Sequence, residues 1–170
     1  MPPDLSRPHL ARIVDFWLGG DHNFSIDREA VERTGSIGHL MRDMHRQHRD
    51  FMRRGIAYMI YNQDIHHFID FGSALPTCGN IHEIALDYDP DAVVIYSDID
   101  PEVVEYGREI LEKAGLSNVR YEWADAQHPE ELLNSATVRE LARRHRAEHG
   151  SDPSIAVLPH GHLTVPWLKG

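Results

Sequence analysis

The stretch Ala92-Val93-Val94-Ile95-Tyr96-Ser97-Asp98-Ile99-Asp100-Pro101 decides the fold. It begins with an almost wholly apolar, β-branched run, which is typical of a strand buried on both faces of a parallel sheet. Pro101 then stands in the first turn of a helix, where its missing N–H costs nothing, and Gly115 ends that helix. A strand that leads directly into a helix predicts one unit of an α/β fold.

The same alternation of strands and helices extends along the rest of the chain. Further strands are expected at residues 67–71, 119–123 and 154–158. Helices are expected between them, at residues 80–86, 101–114, 129–133 and 137–149. Strands separated by helices pair in parallel through right-handed crossovers. Residues 65–170 are therefore predicted to form a partial, Rossmann-like sheet of about four parallel strands.

Residues 1–64 have a different pattern, with apolar residues at helical spacing. Helices are expected at residues 8–18, 27–33 and 40–61. The last of these carries an apolar stripe that we expect to pack in the core: Met41, Met44, His48, Phe51, Met52, Gly55, Ile56 and Met59. The N-terminal residues are thus predicted to be a helical cap that forms one compact domain with the sheet.

Composition narrows the classes of function. The chain has 170 residues and a formal net charge of −10, which argues against a broad electrostatic surface for nucleic acid. No apolar stretch approaches the roughly 20 residues that span a membrane, and a single cysteine, Cys78, suits a reducing compartment. We expect a cytoplasmic protein that binds neither membrane nor nucleic acid. The 13 histidines leave metal binding open.

Acidic and small residues follow three of the predicted strands. In a doubly wound sheet, ligands lie outside the carboxyl ends of the strands. There Gly72 allows close backbone approach, and Asp98 is placed to accept hydrogen bonds from both hydroxyls of a ribose, with Asp100 as second choice. After the third strand, Asp125 faces the expected position of an adenine amine, with a neighbouring N–H for a ring nitrogen. Such residues are also common as helix caps and turn formers, which is an alternative for Asp70 and Asp100 in particular.

The loop after the first strand distinguishes between nucleoside ligands. A dinucleotide requires a G-x-G-x-x-G turn, which leaves a helix N-terminus open for the pyrophosphate. Here Gly72 is followed by Ala74 and Pro76, which make a poor phosphate cradle. S-adenosylmethionine (SAM) carries no phosphate and needs only close backbone approach and a ribose acceptor. The loop therefore favours SAM over NAD.

Several motifs together resemble a known family. They are Ala11-Arg12-Ile13-Val14-Asp15-Phe16-Trp17-Leu18-Gly19-Gly20, Asn23-Phe24, Asp27-Arg28, Phe68-Ile69-Asp70-Phe71-Gly72, Leu75-Pro76-Thr77, Gly79-Asn80, His82-Glu83 and Tyr96-Ser97-Asp98-Ile99-Asp100-Pro101. This combination resembles the actinobacterial SAM-dependent methyltransferase family that was long catalogued as a domain of unknown function. The resemblance implies a class I methyltransferase sheet with an N-terminal helical cap.

In that picture, Gly19, Gly20, Asn23 and Phe24 close over the cofactor, although a helix end and a turn are the alternative for this segment. The full set of residues expected to bind SAM is Gly19, Gly20, Asn23, Phe24, Asp70, Gly72, Ser73, Thr77, Asn80, Asp98, Ile99, Asp125 and Ala126.

The chain departs from the family pattern in three places. Ala74 stands where the family usually has a second glycine, and Asp21-His22 stands where it tends to have Lys-Asp. Family members also continue well beyond the fourth strand, and their complete sheet has more strands. The fourth strand is therefore expected to be an edge, and a homodimer that covers this edge is our preferred expectation.

Histidines supply the candidates for acid–base or metal chemistry. His160 and His162 follow the fourth strand and point to one side if the chain is extended. They are the candidate catalytic bases, with metal ligation or plain exposure in a loop as alternatives. His45 and His48, three apart on a helix, form half of a metal site or a solvated or packed pair. No metal is assigned.

Three functions remain open at this point. The leading one is a SAM-dependent methyltransferase that acts on a small-molecule acceptor. The second is a shortened relative that binds SAM or a partner without transferring methyl groups. The third is a metal enzyme on the same scaffold, with histidine ligands.

Overall fold

Four parallel strands form the sheet that organises the second part of the chain. The computed structural model describes residues 3–159. Its strands are β1 (His67–Phe71), β2 (Val93–Asp98), β3 (Val119–Trp123) and β4 (Ile155–Pro159). They lie in the order β3-β2-β1-β4, and every neighbouring pair is parallel. The predicted α/β fold with about four parallel strands is confirmed.

The helices also fall where the sequence pattern predicts them, with shifts of a few residues at their ends. They are α1 (Leu10–Leu18), α2 (Ser25–Arg33), α3 (Ser36–Gln63), α4 (Ile81–Tyr88), α5 (Pro101–Lys113), α6 (Pro129–Leu133) and α7 (Ala136–His149). Helix α1 ends at Gly19, whose φ of +88° needs glycine. Asn80 caps the N-terminus of α4, and the carboxylate of Glu83 accepts the Gly79 N–H at 3.0 Å.

Apolar side chains cover both faces of the sheet. Phe68, Val94 and Tyr96 point to the face covered by α3, α4 and α5, where Ile56 and Ile84 are also fully buried. Alternate residues of the same strands point to the face covered by α6 and α7: Ile69, Phe71 and Ile95. This alternation explains the continuous apolar runs in the sequence, because both faces of these strands are buried.

The long helix α3 differs from its expected packing. Met52 and Ile56 of the predicted stripe are buried, as expected for a core face. The prediction is wrong for Met44 and Phe51, whose exposed fractions are 53% and 61%, and for His48, which is also exposed. Two apolar faces run along this helix, and only the one with Gly38, Met52, Ile56 and Ile60 packs on the rest of the chain.

Among residues 3–159, strand β4 pairs with β1 alone and lies at one edge of the sheet. Its Val157 is 46% exposed. Across residues 3–159, none of the helices combines the length and the apolar character that crossing a bilayer requires.

Candidate functional site

The carboxylate of Asp98 lies at the carboxyl end of β2 and is oriented by two backbone donors. The N–H of Ala74 donates to its Oδ2 at 3.1 Å, and the N–H of Asp100 donates to its Oδ1 at 3.0 Å. The side chain is half-buried. Each carboxylate oxygen can accept a second hydrogen bond, so Asp98 is a fixed acceptor at the edge of the sheet.

The backbone of the turn after β1 lies next to the Asp98 carboxylate. Gly72 and Ala74 both have a positive φ, +69° and +55°. A left-handed conformation costs a residue with a Cβ about 1 kcal/mol, so Ala74 occupies a position that suits glycine. Tyr121, on β3, supports this strained residue by donating its hydroxyl to the Ala74 carbonyl at 2.6 Å. Burial raises the pKa of the Tyr121 hydroxyl well above its ordinary value, which keeps it protonated as a donor.

Two serines attach this turn to β2. The Ser73 N–H donates to the Ser97 carbonyl at 2.9 Å, and the Ser97 N–H donates to the Ser73 hydroxyl at 3.2 Å. The Ser97 hydroxyl donates to the carbonyl of Asp70 at 2.9 Å. Asp70 itself is fully buried within β1. The structure therefore places Ser73 and Asp70 in the hydrogen bonds that support the turn after β1.

The third strand end adds an apolar surface beside two polar groups. Ile99 and Trp123 are 56% and 52% exposed, and the Trp123 indole N–H donates to the Ile99 carbonyl at 2.8 Å. Asp125 is half-buried, and its Oδ1 accepts the N–H of Gln127 at 2.9 Å. Ala126 is exposed. The side chains predicted from strand ends thus line one edge of the sheet.

The cap reaches this edge through Asp15, which is 1% exposed. Its carboxylate accepts a hydrogen bond from Asn23 Nδ2 at 2.8 Å and from the Thr77 hydroxyl at 2.6 Å. Gly20 packs directly against it, because a Cβ at this position would lie 2.0 Å from Asp15 Oδ1. Three of the predicted site residues, Gly20, Asn23 and Thr77, therefore meet around Asp15. The sequence alone indicates Asp15 only as part of the motif at residues 11–20.

A second set of polar contacts joins α1 to α2 and α5. Arg12 is 2% exposed and donates from Nε to Asp27 Oδ2 at 2.9 Å and from Nη1 to Glu102 Oε1 at 3.0 Å. Its guanidinium carbon lies 5.6 Å from the centre of the Phe24 ring. Phe24 thereby belongs to the packing of the cap onto Arg12.

Both carboxylate oxygens of Asp100 make contacts that stabilise the fold. Its Oδ1 accepts the N–H of Glu102 at 2.9 Å as the cap of α5, and its Oδ2 is 3.0 Å from His9 Nε2. Although partial burial opposes the effect, the hydrogen bond from His9 holds the pKa of Asp100 below its ordinary value. Of the two candidate ribose acceptors, Asp98 is the one whose carboxylate accepts, among the described residues, only the backbone N–H groups of Ala74 and Asp100.

A cleft of about 210 Å³ opens between the cap and the turn after β1. It is lined by Val14, Met44, His45, His48, Arg49, Gly72, Ser73 and Ala74. Arg49 donates from Nη1 to Asn80 Oδ1 at 2.7 Å, and burial lowers the pKa of its guanidinium. Asn80 is fully buried, and its Nδ2 also donates to the Leu75 carbonyl at 3.0 Å. Asn80 therefore holds the loop and α4, and Arg49 is a lining residue that the sequence did not single out.

The candidate metal ligands are not brought together in the part of the chain that the structure covers. His160 and His162 lie outside the described residues. His45 stacks on Trp17 with a centroid distance of 5.2 Å. Within residues 3–159, no group of three or more His, Cys, Asp or Glu side chains is arranged to hold a metal ion.

Comparisons with known proteins agree with this geometry. Two solved structures are similar to the chain. One, a candidate methyltransferase from Thermobifida fusca YX, has 38% identity and a TM-score of 0.66 over 81% of this chain and 51% of its own. The other, a DUF574 family protein from Streptomyces avermitilis MA-4680, has 31% identity and a TM-score of 0.64 over 81% of this chain and 52% of its own. The chain thus spans about half the length of both.

A comparison with curated proteins gives no match. The family model for S-adenosyl methyltransferases matches residues 2–145, which include the cap and the first three strands. The strand order, the strand-end residues and this match lead to one conclusion: the chain belongs to the S-adenosyl methyltransferase family.

Proposed function

We propose that the chain binds SAM along the carboxyl ends of β1, β2 and β3 and serves as a SAM-dependent methyltransferase for a small-molecule acceptor. The observation that carries the proposal is the carboxylate of Asp98, which two backbone N–H groups orient beside a turn with two positive φ values. Asp98 accepts the ribose hydroxyls in this account. A carboxylate that is already oriented loses little conformational entropy when it binds.

The neighbouring strand end fits an adenine ring. Ile99 offers an exposed apolar side chain for one face of the ring. Asp125 has a carboxylate for the exocyclic amine, and the Ala126 N–H is the donor that we assign to a ring nitrogen. A phosphate-free nucleoside suits this edge, because Ala74 and Pro76 in the turn after β1 replace the glycine-rich cradle that a pyrophosphate requires.

The methionine part of the cofactor is assigned to the cleft beside Gly72. At about 210 Å³, the cleft is smaller than the roughly 300–1,000 Å³ of most ligand pockets. It therefore holds one part of the ligand, and the nucleoside extends over the open edge towards Asp98. In this arrangement the ligand passes close to the backbone at Gly72, where there is no Cβ to block it.

The remaining predicted cofactor residues act, in this account, through their neighbours. Gly20, Asn23 and Thr77 position the cap over the cleft through Asp15, and Gly19 ends the helix that carries Asp15. Phe24 stacks on Arg12 in the same cap. Asp70, Ser73 and Asn80 hold the turn and its following loop. We classify all of these as positioning residues.

The proposed reaction is a nucleophilic displacement at the methyl carbon of SAM. Bound SAM supplies an electrophilic methyl group, and its S–C bond breaks with the electron pair remaining on sulfur as the acceptor forms the new bond. Positioning of the two reactants provides most of the acceleration in such a step. His160 or His162 is our candidate for removing a proton from the acceptor; both lie outside the described residues. A cytoplasmic location and a homodimer across the β4 edge are further parts of the proposal.

Calorimetric titration with SAM tests the binding claim. We expect Asp98→Asn to weaken SAM binding about 10- to 100-fold, because charge-assisted hydrogen bonds contribute about 1.5–3 kcal/mol. The matched control is Asp91→Asn, an exposed residue in the turn before β2, which should leave the affinity unchanged. Equal affinity in the Asp98→Asn variant and the natural chain would count against the assignment, provided that both unfold at the same temperature.

Transfer is a separate measurement, because the chain spans about half the length of its solved relatives. Methyl-labelled SAM is incubated with the chain and a panel of small nucleophiles. Label in a small molecule supports the methyltransferase. Tight SAM binding without transfer to any acceptor favours the second candidate, a relative that binds SAM without transferring its methyl group.

A further inference from the structure

Helix α3 has a second apolar face that the fold leaves exposed. Six large apolar side chains on this helix are more than half exposed, with values from 53% to 69%: Ile37, Leu40, Met44, Phe51, Tyr58 and Tyr61. The core face of the same helix lies on its other side, at Gly38, Met52, Ile56 and Ile60. Within residues 3–159, Tyr61 packs edge-on against Tyr88 with ring centroids 5.5 Å apart, and Met44 lines the cleft beside Gly72. Packing on these described residues does not bury the six side chains.

The six residues form one regular pattern. Ile37, Met44, Phe51 and Tyr58 recur every seven residues, and Leu40 and Tyr61 each follow one of them by three. In a seven-residue repeat labelled a to g, these are all a and d positions. Gln47 and Arg54 occupy the remaining two d positions. We call the eight residues the α3 stripe.

A repeat of this kind identifies the shape of its partner. Apolar residues at a and d form the seam of a left-handed coiled coil, in which side chains of one helix fit between those of another. The seam runs through residues 37–61, most of the 28-residue helix. An extended peptide, whose side chains repeat every two residues, does not match a spacing of 3.5 residues per turn.

We infer that the α3 stripe is an interface between two copies of this chain, which pair through antiparallel α3 helices. A two-fold axis places the same surface on both subunits. With the axis near residue 49, the pattern pairs each a residue with a d residue of the second copy. The four layers are Ile37 with Tyr61, Leu40 with Tyr58, Met44 with Arg54, and Gln47 with Phe51.

This register gives the two polar residues suitable neighbours. Gln47 packs on the ring of Phe51, and the aliphatic part of Arg54 covers Met44 while its guanidinium reaches solvent. Both outer layers join an aliphatic side chain to a tyrosine ring, whose hydroxyl points to water. No layer therefore buries a charge without access to solvent.

The area is adequate for a dimer. Six side chains of this size and exposure offer roughly 700 Å² of surface, close to the roughly 800 Å² per partner of a standard interface. Met44 also lines the cleft beside Gly72, so the pairing borders the proposed SAM site. The pairing differs from the proposed β4 edge interface, which involves Val157 and a different side of the molecule.

Sedimentation velocity of the full chain and its variants tests the inference. We expect a dimer that Phe51→Glu weakens at least about 100-fold, because a buried glutamate meets Gln47 in both central layers. Val157→Glu is the matched control: it also places a glutamate at an exposed apolar position, but on β4, so it should leave the α3 pairing intact and weaken only an association through the β4 edge. Circular dichroism verifies that both variants fold.

A mixture of two variants tests the register. Gln47→Lys faces Phe51→Glu across the antiparallel seam, so an equimolar mixture should form more dimer than either variant alone. Three results would overturn the inference: a natural chain that stays monomeric up to about 100 µM, a dimer that Val157→Glu dissociates and Phe51→Glu does not, or a monomer that binds vesicles of anionic lipid through the stripe. A mixture that stays monomeric would overturn the antiparallel register.

Discussion

Helices α1 and α3 both belong to the cap, yet they depart from the usual distribution of polar and apolar residues in opposite directions. Helix α1 buries two charged side chains, Arg12 and Asp15, at 2% and 1% exposure. Helix α3 exposes six large apolar ones along a single stripe. Burying a charge costs free energy unless the charge is paired, and apolar surface that stays exposed contributes nothing to folding. Helix α1 therefore positions the turns at the sheet edge, whereas α3 presents a surface for a partner.

The largest effect is expected from breaking the α1 contacts. Arg12→Leu leaves the fully buried carboxylate of Asp27 without its cation, which should lower the free energy of unfolding by about 4 kcal/mol. The control is Arg7→Leu, whose side chain is 73% exposed and should change stability little. Urea unfolding at neutral pH measures both. A loss below that of a typical surface substitution would show that the pair does not hold the cap.

The two faces of α3 should give unequal losses. Ile56 is fully buried, so Ile56→Ala should lower the free energy of unfolding by about 3 kcal/mol. Phe51→Ala removes a larger side chain that is 61% exposed, and at concentrations below dimer formation it should change stability by no more than about 0.5 kcal/mol. A large loss for Phe51→Ala in the monomer would mean that the stripe packs on its own chain.

In the turn after β1, which contacts α1 through Thr77, a substitution should instead raise the free energy of unfolding. Ala74→Gly removes the Cβ from a residue with a φ of +55°. Because relief of about 1 kcal/mol of strain is partly offset by the greater backbone entropy that glycine loses on folding, the free energy of unfolding should rise by about 0.5 kcal/mol. Ala124→Gly, in a buried residue whose φ is not positive, should be destabilising. Thermal unfolding of the two variants distinguishes strain at Ala74 from a general effect of glycine.

His67 lies at the amino end of β1, away from the ligand edge, and its protonation makes the stability of the fold depend on pH. Burial and the nearby His145 lower the pKa of His67 from 6.5 to about 4. The unfolded chain therefore binds more protons than the folded one between these values, so stability falls as the pH drops from 6.5 towards 4. His67→Gln should reduce the stability lost between pH 7 and pH 5 by about 1 kcal/mol, after allowance for partial exposure.

The exposed His39→Gln is the control for this pH dependence. Urea unfolding at the two pH values gives the slope for each variant. Equal slopes in the natural chain and the His67→Gln variant would show that His67 is protonated as readily in the folded state as in the unfolded one.

Sequence alone predicts the parts of the fold that depend on local pattern. The strands at His67–Phe71 and Val119–Trp123 lie where expected, to the residue. Their apolar runs are bounded by turn residues, so few alternatives exist. The strand-end position of Asp98 follows from the same local pattern, because a residue that ends a parallel strand must lie at the ligand edge.

Long-range contacts could not be predicted in this way. Nothing in the local sequence indicates that Arg12 meets Glu102, or that Asp15 gathers Asn23 and Thr77. Helix α3 shows a second limit. Its periodicity reveals apolar faces, but which face packs in the core depends on the rest of the chain. The pattern therefore predicts burial for Met44 and Phe51, which are exposed.

A crystal structure of the chain with S-adenosylhomocysteine, the product left after methyl transfer, would show whether Asp98 binds the ribose. We expect both ribose hydroxyls within about 3 Å of the Asp98 carboxylate, the adenine against Ile99, and the amino-acid part in the cleft beside Gly72. A ligand bound elsewhere, or one whose ribose lies away from Asp98, would contradict this expectation.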